Sequence, residues 1–334
     1  MSRLCAFGLS DTIPPMLSTP ESYGLDATAT LRHRVDLERP AGFAEHWERF
    51  DAAMLALPRP NWPTADPATR VEFVSLDSVR VVGRLTVPEK APLCGGVVTT
   101  HGYLTESPVI ADANEAWLER GLAVLELRVR GYDPSTQDLP HIGDEWILRG
   151  LESPGWVVHG AVADVVAAVR ALRIVLPAGT PVSMHGESLG GGLAVMAAAR
   201  LTSMGEPPHR LAIGLPSLGA WTWRRGRYCN GSGGLVNMML ESLRTEAGAV
   251  VETMRLADAA LHAPDVTCPV LCKLAELDDV VPAPSAAAVY NALSSTERSS
   301  FVTPYGHFEG GLANARKHLA FERLVAEFLA PDSA

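Results

Sequence analysis

The sequence predicts an α/β fold, a mostly parallel central sheet covered by helices on both faces. Three observations predict it. Short, near-continuous apolar runs such as Gly95–Thr100 and Leu122–Leu127 recur along the chain, as strands buried on both faces require. Segments of helical period, Val157–Val175 the longest, alternate with them. A Gly-x-Ser-x-Gly turn, Gly186-Glu187-Ser188-Leu189-Gly190, falls between a predicted strand and a predicted helix.

In chain order, residues 1–34 open with Ser, Thr, Pro and Gly and little periodicity, and are expected to form an arm outside a single domain over 35–334. Phe43, Trp47, Phe50, Met54 and Leu55 recur at helical spacing, and Pro58, Pro60 and Pro63 end that helix. Arg70–Ser75 and Arg80–Val87 read as a hairpin at a sheet edge. Beyond it come strands at Gly95–Thr100 and Leu122–Leu127, with a helix near Ala113–Arg120 between them. In Val157–Val175, the residues Val158, Val162, Val165, Val166, Val169 and Leu172 share one face. Strands at Pro181–Met184, Leu211–Leu215, Pro269–Leu274 and Ser300–Thr303 complete the sheet. Residues 216–264 are too long for one connection, and are expected to be a helical insertion after the sixth strand.

Composition narrows the function. The chain has 334 residues, 47% of them hydrophobic, enough to bury a large core and to exclude a disordered protein. With 28 Lys and Arg against 38 Asp and Glu, its net charge of −10 argues against nucleic-acid binding. A basic–aromatic patch at Trp221, Trp223, Arg224, Arg225, Arg227 and Tyr228 is therefore expected in a pocket lid or subunit contact. Five cysteines form no disulfide framework, and Cys268 and Cys272 are expected to be buried thiols. No apolar run is long enough to span a bilayer, and the first ten residues show no signal peptide, so a cytoplasmic location is expected.

The serine of a strand–turn–helix elbow projects its hydroxyl above the sheet, and Ser188 is the candidate nucleophile. A hydroxyl needs a base, and the base an orienting acid, in the chain order serine, acid, histidine. Asp278 lies at the end of the strand containing Val270 and is the candidate acid, with Asp279 adjacent. Among ten histidines only His307 and His318 follow it, and His318 falls inside the last helix, which leaves His307 as the base. The oxyanion donors expected are the backbone N–H of Leu189, directly after the nucleophile, and that of Tyr103, after His101-Gly102. His101 is expected to brace that loop. Arg128, Arg130 and Asp133 are expected to form an internal salt bridge. No metal or organic cofactor is implied.

With these residues the chain resembles the acetyl xylan esterase and cephalosporin-C deacetylase family of α/β-hydrolases, carbohydrate esterase family seven. The resemblance covers roughly residues 35–330, through Phe43–Phe50, His101-Gly102-Tyr103, Arg130-Gly131, the Trp156–Arg170 stretch with Gly160 and Asp164, Gly186–Gly192, and Asp278 with Pro282 and Ser285. It implies Ser188, Asp278 and His307 as the triad, Tyr103 and Leu189 as oxyanion donors, and a homo-oligomer with a restricted entrance. Three positions depart from the family: Tyr132 and Leu189 stand where Gln is usual, and Phe308 where Glu is. The function expected is a serine carboxylesterase that removes small acyl groups, acetyl above all, from sugars or related alcohols. A lactonase, a peptidase and a non-catalytic binding protein on the same fold are the alternatives.

Overall fold

The structure, a computed structural model, describes residues 23–60, 62, 68–103, 114–140 and 143–331. Most of the expected arm, with Pro63 and Ala113, lies outside the described residues. The chain enters through α1 (Ala27–Leu31) and α2 (Phe43–Leu55), then the strands β1 (Ala68–Val74), β2 (Arg80–Thr86) and β3 (Gly95–Thr100). The helix α3 (Glu115–Leu118), strand β4 (Leu122–Arg128) and long helix α4 (Val157–Val175) follow. Strand β5 (Val182–Glu187) runs straight into α5 (Leu189–Ser203), and β6 (Leu211–Gly214) comes next. Four helices then precede the next strand: α6 (Trp221–Arg224), α7 (Ser232–Leu243), α8 (Ala247–Met254) and α9 (Ala259–His262). The chain ends with β7 (Val270–Ala275), α10 (Ala283–Ala292), β8 (Arg298–Thr303) and α11 (Gly311–Leu329).

The sheet has eight strands in the order β1-β2-β4-β3-β5-β6-β7-β8. The β1–β2 hairpin is antiparallel at one edge, as its alternating sequence predicts, and β2 pairs antiparallel with β4. From β4 through β8 every pairing is parallel. Successive strand side chains point to opposite faces, so one sheet feeds two cores. Val97, Val124, Ala212 and Leu271 pack with Trp117 of α3 and with Phe321, Val325 and Leu329 of α11. Val98, Leu125, Ile213 and Cys272 belong to the larger core, which includes α4 and α5. Both of these helices are buried on nearly all sides, and α5, rich in Gly and Ala, accordingly shows weak amphipathic patterning.

Two local expectations are corrected. Arg130 does not pair with Asp133, whose Oδ1 instead accepts from the Thr136 hydroxyl at 2.9 Å. Its partner is Asp164 on α4: Nη2 donates to Oδ1 at 2.8 Å, and the Arg130 backbone N–H donates to Oδ2 at 2.8 Å. The pair is buried, and Gly160 leaves the space, since a Cβ there would lie 2.4 Å from the guanidinium. The basic–aromatic patch is likewise not one surface. Trp221 and Arg224 are buried, with the guanidinium over the indole, and Trp223 packs against Tyr23 and His33. Cys268 and Cys272 are buried thiols as expected, and burial pushes Cys268 up to about 12.

Removing one partner of a buried, multiply bonded ion pair leaves an uncompensated charge, at about 3–5 kcal/mol. Asp164→Ala is therefore expected to lower the urea unfolding free energy by about that amount, and equilibrium denaturation monitored by tryptophan fluorescence checks it.

Candidate active site

The site is built where the parallel strands end. Ser188 joins β5 to α5 with φ 54° and ψ −116°, a backbone that an L-residue adopts only under constraint. Neighbouring chain supplies the constraint. The Ser188 N–H donates to the Gly214 carbonyl at 2.8 Å, and its carbonyl accepts from the Ser217 N–H at 3.0 Å. Gly186 and Gly190 let the backbone close around it: a Cβ at Gly186 would lie 2.4 Å from the Gly190 carbonyl oxygen, and one at Gly190 2.7 Å from that of Thr100.

Asp278 follows β7 and His307 follows β8, and adjacent strands bring the two loops together. His307 Nδ1 and Asp278 Oδ2 are 2.8 Å apart, so Nδ1–H donates and Nε2 is left as the acceptor. The other carboxylate oxygen of Asp278, Oδ1, accepts from the backbone N–H groups of Val280 and Val281, at 3.0 and 2.9 Å. These bonds fix the carboxylate of a residue only 1% exposed. Of the two adjacent acids it is Asp278 that meets the imidazole. The Asp279 carboxyl is pushed above the usual range by burial and by Glu309 and Asp278.

Ser188 and His307 line one cavity of about 650 Å³, together with Tyr103 and Leu189. The Leu189 N–H is the first of α5, where a helix has no acceptor of its own to offer. Tyr103 is held by its side chain, whose oxygen accepts from the Ile147 N–H at 2.9 Å and whose ring meets Tyr132 and Trp146 edge-on. His101 braces this loop as expected. Its Nδ1–H donates to the Gly102 carbonyl at 2.7 Å, and its Nε2 accepts from the Val129 N–H at 3.3 Å. Burial brings it down to about 4, so it stays neutral and bound on both sides.

The departures from the family pattern have unequal consequences. Tyr132 is buried 4.4 Å from the His101 ring and does not line the cavity. Leu189 and Phe308 do, and the Phe308 ring, 77% exposed, meets the His307 ring at 4.6 Å. Asn230, Gly231 and Ser232, from the stretch between β6 and β7, form part of the wall.

One group of residues escaped the sequence. Glu187, directly before the serine, accepts from Lys273 Nζ at 2.6 Å, and Nζ contacts His318 Nδ1 at 3.1 Å. Its only trace in the sequence is a lysine inside the apolar strand Val270–Ala275. Glu187, His318 and Glu322 have ligand-type atoms within 4.8 Å of one another, but the ammonium of Lys273 is already bonded to the first two, so the chain supplies its own cation there.

A doubly covered, mostly parallel sheet with a strained serine between strand and helix, and an acid–histidine pair on the following strand ends, defines an α/β-hydrolase. The comparisons agree. The family model for acetyl xylan esterase (AXE1) matches residues 32–323, and the chain belongs to that family of carboxylic ester hydrolases. Acetyl xylan esterase 1 from Thermoanaerobacterium sp. superposes with a TM-score of 0.73 at 18% identity, covering 89% of this chain and 98% of that one. An acetyl xylan esterase from Paenibacillus sp. gives 0.74 at 18% identity, over 90% and 99%. An acylaminoacyl peptidase from Pyrococcus horikoshii gives 0.55 at 15% identity, over 80% of this chain and 42% of that one. At such identities the likeness carries the fold. A sequence search of curated proteins finds no match.

Glu322 yields a pH test of the group around Lys273. Burial, and then Glu187, push its carboxyl from 4.5 up to about 7. A carboxyl raised in the folded state favours folding only while protonated, so stability falls as pH rises from about 4.5 through about 7. Glu322→Gln removes that loss. Calorimetry is expected to show its Tm about 2–4 °C above wild type at pH 8 and level with it at pH 4.

Proposed function

We propose that the chain hydrolyses small acyl esters, acetyl esters of sugars or related alcohols foremost, with Ser188 as nucleophile, His307 as base and Asp278 as orienting acid. The observation that carries this is the 2.8 Å bond from His307 Nδ1 to Asp278 Oδ2, in a cavity that the strained Ser188 also lines. His307 Nε2 takes the Ser188 proton as Oγ attacks the acyl carbon. Asp278 keeps the imidazole in the acceptor tautomer and stabilises the imidazolium. The N–H groups of Leu189 and Tyr103 receive the oxyanion. Collapse of the tetrahedral intermediate expels the alcohol, which takes the proton from His307. Water, activated by the same imidazole, then releases the acid and restores Ser188.

The occupant is a small-molecule ester, and neither nucleic acid nor a membrane is a partner in this reading. Among the described residues no helix is long and apolar enough to cross a membrane. The free thiols Cys94, Cys229, Cys268 and Cys272 suit a reducing, cytoplasmic setting. A homo-oligomer would cover the exposed Phe308, Leu312 and Leu319, on and just before the first turns of α11 beside the cavity.

A fluorophosphonate probe is expected to label wild type and not Ser188→Ala, with p-nitrophenyl acetate turnover falling ~10³–10⁶-fold in the mutant. Turnover should also drop sharply from acetate to butyrate esters. Undiminished turnover in Ser188→Ala removes the serine from the mechanism, and a flat acyl profile removes the preference for acetyl.

A further inference from the structure

Glu187, Gly214 and Lys273 are register partners across three adjacent strands. Gly214 is what lets the outer two meet. A Cβ there would lie 2.4 Å from Glu187 Oε1, so the carboxylate reaches over a bare stretch of β6 to Lys273 Nζ at 2.6 Å. Lys273 is 6% exposed, and its ammonium is also held by His318 Nδ1 and lies 5.3 Å from the Phe321 ring centroid. Two of its three donors are thus directed to protein groups, and Glu187, Lys273 and His318 line the same cavity as Ser188.

A buried ion pair in a parallel sheet adds little to stability, since desolvation offsets most of the attraction, and apolar residues in place of both partners often serve as well. Its position suggests another use. The ion pair spans Gly214, whose carbonyl also accepts the Ser188 N–H at 2.8 Å. Ser188 sits at φ 54°, a conformation that stores about 1–3 kcal/mol and persists only while its neighbours hold it. Glu187 is the residue through which that strain would relax.

We propose that Lys273 is a positioning residue for Ser188: by holding Glu187 across Gly214, it keeps the turn from relaxing and Oγ in the cavity that His307 also lines, while His318 orients the ammonium. The inference rests on Ser188 being the nucleophile. It predicts a kinetic defect in protein that is still folded, because a misplacement of about 1 Å at the reacting atoms can lower rate ~10²-fold.

The test uses the full chain, with p-nitrophenyl acetate and a fluorophosphonate probe. Lys273→Met, which leaves the Glu187 carboxylate without its cation, is expected to fold with a lowered Tm, to lose ~10–100-fold in kcat at a KM within about two-fold when assayed well below that Tm, and to label more slowly by the same factor. Lys273→Arg, which keeps the charge, is expected to recover most of that loss, a rescue that a filled volume alone would not give. Glu187→Gln, equal in size, is expected to lower kcat severalfold and to add nothing in the Lys273→Met background. A folded Lys273→Met with wild-type kcat and labelling rate overturns the proposal. Should that variant not fold, wild-type kcat in Glu187→Gln overturns it equally. Wild-type protein that resists the probe would instead remove Ser188 as nucleophile, and this inference with it.

Discussion

A serine fixed at φ 54° between β5 and α5 is the constraint on which the other features of the site depend. Strain at that position has to be held from outside, and the outside is the sheet. Glycines at 186 and 190 admit the Thr100 and Gly190 carbonyls to contact distance, and β6 supplies the acceptor for the serine N–H. The long buried helices α4 and α5 pack against that frame. The same turn gives the Leu189 N–H its place at the start of a helix, so the proposed nucleophile and one proposed oxyanion donor are set together.

Chemistry then follows from strand order. β7 and β8 are adjacent and parallel, so the loops after them meet, and Asp278 and His307 lie in hydrogen-bond contact across a separation of 29 residues in sequence. Asp278 is bonded on both oxygens, one to backbone N–H groups and one to the imidazole. An acid held in this way needs no net charge nearby to keep its orientation, and the imidazole it orients lines the cavity. The Arg130–Asp164 pair plays a comparable role one layer back. It ties the loop after β4 to α4, and through Trp146, whose Nε1–H donates to the Arg130 carbonyl at 2.8 Å, to the aromatic residues that hold Tyr103.

Much of this was legible in the chain because it is local. The hairpin at 70–87, the helix at 157–175 and the elbow at 186–190 each carry their own period or turn chemistry, and each lies where it was expected. What was not legible depends on tertiary contact. The strand end favours Asp278 with Asp279 adjacent, and the bonds to the N–H groups at 280 and 281 and to the imidazole show that Asp278 faces His307. Arg130 was matched to the acid nearest in sequence, whereas its partner stands 34 residues away on a helix. Tyr132 departs from the family pattern, yet it is buried against the His101 ring and does not line the cavity. Lys273 and Glu187 were invisible as a pair, because strand register across β6, and not spacing along the chain, brings them together.

The most direct measurement is a crystal structure of the chain inactivated by an organophosphate ester. Phosphorus bonded to Ser188 Oγ is expected, with its phosphoryl oxygen facing the N–H groups of Leu189 and Tyr103, and His307 Nε2 within hydrogen-bond reach. Phosphorus on any other residue, or an imidazole turned away from the adduct with its Asp278 bond broken, would contradict the mechanism.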